Sequence, residues 1–107
     1  MISKDAKTIL YTLYKEYVRR RKAGFSKSEA KLFDSAESIH SDFFPNWLLE
    51  DVEDTLRELG RNNLLNNFYA DDTVYTCELS DNAIVSMENQ KKETFGTIID
   101  IASKFIP

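Results

Sequence analysis

At 107 residues, with 42% hydrophobic and 30% charged residues and a formal net charge of −4, the chain has the make-up of one globular domain with its own core. No apolar run approaches the roughly 20 residues that span a bilayer, and the opening MISKDAKTIL carries an acid and no continuous apolar stretch, which argues against a secretory signal. The single cysteine, Cys77, has no intrachain partner for a disulfide, so the expectation is a cytoplasmic protein with that thiol packed inside a strand.

The total charge conceals an asymmetry. Residues 1–32 hold nine bases against three acids, and the remainder holds five bases against fifteen acids. Such a dipolar chain can pair with itself or offer surfaces of opposite sign to different partners.

In chain order, the first helix is expected from Ser3 to Ala23. Ala6, Ile9, Leu10, Leu13 and Tyr17 make one apolar stripe, and Tyr11, Tyr14 and Val18 a second, so the helix is expected to be covered on two sides. Its last turn carries Arg19, Arg20, Arg21 and Lys22, favoured there by the helix dipole, and Gly24 ends it. Ser26-Lys27-Ser28-Glu29 has the pattern of a capping box, which predicts a short helix carrying Ala30, Leu32 and Phe33 inward. A second short turn, started by Asp34 with Glu37 reciprocating, would carry Ala36 and Ile39, and Phe43 and Phe44 would plug the core ahead of Pro45.

Asn46 to Arg61 reads as a strong helix, with Leu48, Val52, Leu56 and Leu59 on one buried stripe, Pro45 at its start and Gly60 as its stop. Then come LLNNFYA, DD and TVYTCEL, two runs rich in aromatic and β-branched residues around an acidic turn, which predicts a β-hairpin over about 64–79. Asp71-Asp72 lacks the glycine of the best two-residue turns, which leaves the loop length and register open. Regular alternation would turn Tyr75, Cys77 and Leu79 inward. Beyond the polar stretch 88–93, a final amphipathic helix is expected over 94–106, with Phe95, Ile98, Ile99, Ala102, Phe105 and Ile106 on one stripe. That stripe would pack on the first helix, join two copies, or do both.

The order of a helix ending in LRELGRNNLL, a hairpin, and then LSDNAIVSMEN resembles winged-helix proteins. Their closing segment often reads leucine, threonine or serine, an acid, any residue, glycine and an apolar residue. Leu79, Ser80, Asp81 and Ile84 fit that pattern, while Ala83 stands where glycine is usual and Ser86 where an aromatic is common. The resemblance covers about 45 residues. It implies an α+β winged helix with a three-helix core, a β-hairpin wing and the C-terminal amphipathic helix, in a single domain 1–107 whose core is 1–90. With its small size and final helix, the whole chain is similar to the YjcQ-like proteins of Gram-positive bacteria and their phages.

Nothing in the sequence assembles a catalytic set. His40 is the only histidine, there is no phosphate-cradling glycine loop among Gly24, Gly60 and Gly96, and Asp71-Asp72 lacks the further ligands of a calcium loop. The expectation is therefore no enzyme, no metal, no cofactor, no membrane and no small-molecule substrate.

The winged-helix resemblance implies that DNA is a possible partner, with the helix before the wing in the major groove. Here that helix offers Glu50, Asp51, Glu53, Asp54 and Glu58 against Arg57 and Arg61, and residues 62–90 hold no lysine or arginine. Carboxylates facing phosphates are repelled. Two functions remain. In the first, a regulatory module meets an unidentified protein partner through the acidic surface Glu50, Asp51, Glu53, Asp54 and Glu58, or forms a homodimer through its apolar ends. In the second, a transcriptional regulator holds DNA with Arg19, Arg20, Arg21, Lys22, Lys27 and Lys31.

Overall fold

Ser3, in extended backbone, accepts the Ala6 amide on its hydroxyl at 3.1 Å and so caps α1 (Lys4–Lys22). The computed structural model describes residues 2–90. The helix expected over 94–106, and with it Phe95, Ile98, Ile99, Ala102, Phe105 and Ile106, lies outside the described residues. Along α1, Ala6, Ile9, Leu10, Leu13 and Tyr17 are buried, as is Tyr14 from the second stripe, and Tyr11 and Val18 pack partly buried against the same core. Gly24, at a φ of 99°, turns the chain out of the helix.

The capping box forms: the Ser26 hydroxyl accepts the Glu29 amide at 3.2 Å and the Glu29 carboxylate accepts the Ser26 amide at 3.3 Å, opening the single turn α2 (Lys27–Ala30). The helix does not continue through Leu32 and Phe33 as expected. These residues form β1 (Leu32–Phe33), antiparallel to the last strand in the register Leu32↔Glu78 and Phe33↔Cys77. The Lys31 carbonyl accepts the Leu79 amide at 2.9 Å, so β1 satisfies a strand edge that would otherwise lack partners. Only Phe33 turns inward; Leu32 is exposed. The next helix, α3 (Ala36–Phe43), starts from Ser35 rather than Asp34, because the Ser35 hydroxyl accepts the Ser38 amide at 3.2 Å. Ala36, Ile39 and Phe44 are buried as expected.

Pro45 does not begin a helix. It occupies the second position of a turn closed by the Trp47 amide on the Phe44 carbonyl at 3.0 Å, a place its fixed φ suits. Helix α4 (Leu49–Arg61) therefore starts later than the sequence suggests, with Leu48 at its uncapped N-terminus and 68% exposed instead of buried. The buried face is Val52, Thr55, Leu56 and Leu59. Nor does Gly60 stop the helix. The chain leaves it at Asn63, whose φ is 60°, while the Leu64 amide closes back on the Leu59 carbonyl at 3.0 Å. Gly60 serves a close approach instead: a Cβ there would sit 2.6 Å from Nδ2 of Asn67, which donates to the Leu56 carbonyl at 2.9 Å.

The hairpin is β2 (Leu65–Ala70) and β3 (Thr73–Leu79), with Ala70 paired to Thr73 across a two-residue turn. Asp71 and Asp72 both take positive φ, 52° and 60°, the backbone of a type I′ turn built without glycine. The register then shifts: Phe68 pairs with Thr76 but Tyr69 pairs with Val74, so Tyr75 is an extra residue on β3. This bulge corrects the expected alternation. Val74, Cys77 and Leu79 face the core, and Tyr75 stands 63% exposed. Finally, the Ser80 hydroxyl accepts the Ala83 amide at 2.9 Å and opens α5 (Asp81–Glu88), which buries Ala83, Ile84 and Met87.

The described residues form an α+β arrangement of five helices and one antiparallel sheet in the order β1-β3-β2. None of these helices is long and apolar enough to cross a membrane.

Candidate protein interface

The five acids expected on the open face of α4 separate into two groups. Glu53 is turned to the sheet, its side chain only 17% exposed; its Oε1 accepts the Val74 amide at 2.7 Å and lies 3.1 Å from Nη2 of Arg57. Val74 directly follows the first residue of β3, and the carboxylate satisfies a backbone donor there. Glu58 reaches the other way, accepting the Ser3 amide on Oε2 at 2.6 Å and the Ser3 hydroxyl on Oε1 at 2.7 Å, which ties α4 to the start of α1. The Ser3 amide, and after it the hydroxyl, hold the Glu58 carboxyl below its ordinary pKa. Glu50, Asp51 and Asp54 remain exposed, with no ion-pair partner among the described residues. Arg57 is also committed, donating to the Asp72 carbonyl at 2.8 Å with its guanidinium 4.9 Å from the Tyr69 ring centre.

Beside the free acids, the start of α3, the first two turns of α4 and the start of β3 enclose a cleft of about 470 Å³. Ala36, Leu49, Val74 and Tyr75 supply its apolar lining, and Glu37, Glu50 and Glu53 its charge; no base lines it. The turn that sets the approach of α4 is braced by the His40 ring, whose Nε2 lies 2.7 Å from the Trp47 carbonyl, and by Phe44 against Trp47 at 4.7 Å between ring centres. Tyr75 reaches the cleft because of the bulge, and Leu49 because it is the first residue of α4. Neither was legible as a site residue, since Leu49 lies off the apolar stripe and Tyr75 has inward parity in a regular strand.

The basic run is partly absorbed by the fold. Arg20 donates to the Leu32 carbonyl at 2.8 Å and to Glu16 at 2.9 Å, and its guanidinium lies 4.5 Å from the Phe33 ring centre, fastening α1 to β1. Arg19 makes a two-pronged contact with Glu16 at 2.8 and 2.6 Å, and these bonds come first among the causes that lower the Glu16 pKa. Arg21 donates to the Phe25 carbonyl at 3.1 Å. Lys27 and Lys31 both approach Asp81 at 3.7 Å, and Lys22 is exposed. Arg19, Arg21, Lys22 and Lys27 are exposed, and Arg20 and Lys31 are half-buried.

Cys77 is fully buried, with its thiol 3.8 Å from the Asp34 carbonyl, and burial, followed by the charges of Asp34 and Glu78, pushes its pKa up to about 12. It stays protonated at neutral pH and is a poor nucleophile. Among the described residues, no group of three or more histidine, cysteine, aspartate or glutamate side chains is placed to hold a metal ion.

Comparison of the chain with protein-family models, with curated proteins and with solved structures finds no match.

Proposed function

We propose that this chain is a non-catalytic interaction module of the winged-helix type that receives a basic segment of a protein partner in the cleft between α3, α4 and β3. Support for the winged-helix part comes from the order of elements: helices α1, α3 and α4, then the β2–β3 hairpin, with the short β1 placed between helices in sequence and paired to β3. The similarity to YjcQ-like proteins belongs to the same reading. In it the module acts in the cytoplasm, where the unpaired Cys77 stays reduced.

One observation carries the partner's chemistry: all three charged side chains lining the cleft are carboxylates, while the rest of its wall is largely apolar. A lysine or arginine suits both, laying its aliphatic stem on Leu49 and Tyr75 and its charge beside Glu37 and Glu50. Asp51 and Asp54 on the adjoining turns extend the same field and steer a basic partner. Duplex DNA fits less well, because these carboxylates would face phosphates and Arg20 is spent on the fold.

The test is fluorescence anisotropy with three labelled probes: a peptide alternating leucine and lysine, the same peptide with glutamate for lysine, and a short DNA duplex. The basic peptide is expected to bind, to weaken roughly tenfold with Glu37→Lys and Glu50→Lys together, and to weaken as salt rises from about 50 to 500 mM. Binding of the basic peptide that ignores both changes would overturn the proposal, as would tighter binding of the duplex that depends on Arg19 and Lys22.

A further inference from the structure

Strand β2 is an edge of the sheet, and among the described residues nothing pairs with its outer side. The Leu64 carbonyl accepts the Ser80 amide at 3.1 Å, so the alternation of an antiparallel ladder directs the main-chain groups of Asn66 and Phe68 at β3 and those of Leu65 and Asn67 outward. Natural edges are commonly guarded by lysine, proline or shortness. The opposite edge, β1, is two residues long. By contrast β2 runs six residues, and in a chain with 30% charged residues, positions 62–70 contain neither a charge nor a proline. Phe68 and Tyr69 are exposed, and a groove of about 440 Å³ runs along the strand beside the end of α4, lined in part by Gly60, Arg61 and Phe68.

We propose that this edge docks the β2 strand of a second copy of the chain, antiparallel about a two-fold axis between the two Asn66 residues. The pattern is self-complementary in that register. Leu65 of each copy lies opposite Asn67 of the other, and both are outward-facing, so each such pair exchanges its two main-chain hydrogen bonds. Phe68 lies across from Leu64 on one face, an apolar cross-strand pair. The uncharged strip is bounded by Arg61 at one end and Asp71-Asp72 at the other, so reversal brings the basic end of each copy to the acidic end of its mate. The groove along this edge shares no lining residue with the acidic cleft.

The experiment uses the full chain. Sedimentation velocity from micromolar to millimolar concentration is expected to show a dimer, and Asn66→Lys with Phe68→Lys, both at exposed positions, to return the mass to that of one chain. A second variant fixes the register independently. Asn66→Cys places two thiols in a non-hydrogen-bonded pair, where side chains are closest, and mild oxidation should link two chains through it, since Cys77 is buried and does not compete. A chain that stays monomeric at millimolar concentration would overturn the proposal. So would a dimer that survives the lysine variant and gives no cross-link through position 66.

Discussion

Replacing Glu53 with alanine tests whether this acid belongs to the fold or to the partner surface. In the structure its Oε1 is the hydrogen-bond acceptor of the Val74 amide at 2.7 Å, and Val74 is 1% exposed with the carboxylate in place. A hydrogen bond to a charged group contributes about 1.5–3 kcal/mol, and a buried donor left without a partner costs about 1–3 kcal/mol. The ion pair with Arg57 adds little, about 0.3–0.5 kcal/mol for a pair spaced four residues apart on a helix. Arg57 keeps its bond to the Asp72 carbonyl and its place over Tyr69. Glu53→Ala is therefore expected to cost about 2 kcal/mol in urea denaturation, and to lower the Tm of a domain this size by about 4–8 °C for each kcal/mol. Glu53→Gln, which retains an acceptor oxygen, should lose less than about 1 kcal/mol. Glu50→Ala, at an exposed position one turn earlier, should stay within about 0.5 kcal/mol of the parent. A Glu53→Ala variant as stable as Glu50→Ala, or a glutamine variant as damaged as the alanine one, would refute the assignment.

Two further outcomes follow from the same elements. Gly60→Ala should give none of the roughly 1 kcal/mol that alanine usually gains over glycine within a helix, because its Cβ displaces the Asn67 amide from the Leu56 carbonyl; in an Asn67→Ala background the same change should gain about 1 kcal/mol, and a denaturation double-mutant cycle reads the difference. Glu58 titrates below its ordinary value, as does Glu16, so each contributes stability that is fully present above the unfolded carboxylate pKa of about 4.3 and is lost as pH falls through the lower folded value. Ser3→Ala removes one of the two donors to Glu58 and should flatten the fall in urea midpoint between about pH 6 and pH 3; an unchanged slope would show that the clamp does not act in solution.

The elements that periodicity and local capping determine were legible in the sequence: α1 with its double stripe, the capping box at Ser26 and Glu29, the Val52–Leu56–Leu59 face of α4, and the hairpin. What escaped was set by partners far away in the chain. A two-residue strand such as β1 is too short to show alternation, and Leu32 and Phe33 continue a helical pattern until β3 supplies their ladder. Glu53, Glu58 and Arg20 carry the residue types of a solvated face, but their partners lie 21, 55 and 12 residues away in sequence. Of the five acids expected on one open face of α4, Glu50, Asp51 and Asp54 face solvent, and Glu53 and Glu58 bond within the fold. Leu48 was misplaced because the turn at Pro45 delays the helix by several residues, which removes it from the stripe.

The bulge at Tyr75 uncouples the length of β3 from the orientation of its core residues. Excising that one residue would join Val74 to Thr76 and leave a regular ladder in which Val74, Cys77 and Leu79 still point inward. Tyr75 is therefore a position where descendants of this chain can differ in length, or in side chain, without re-registering the sheet. Because it lines the acidic cleft, variation tolerated by the fold falls on the wall of the site proposed above for a basic partner.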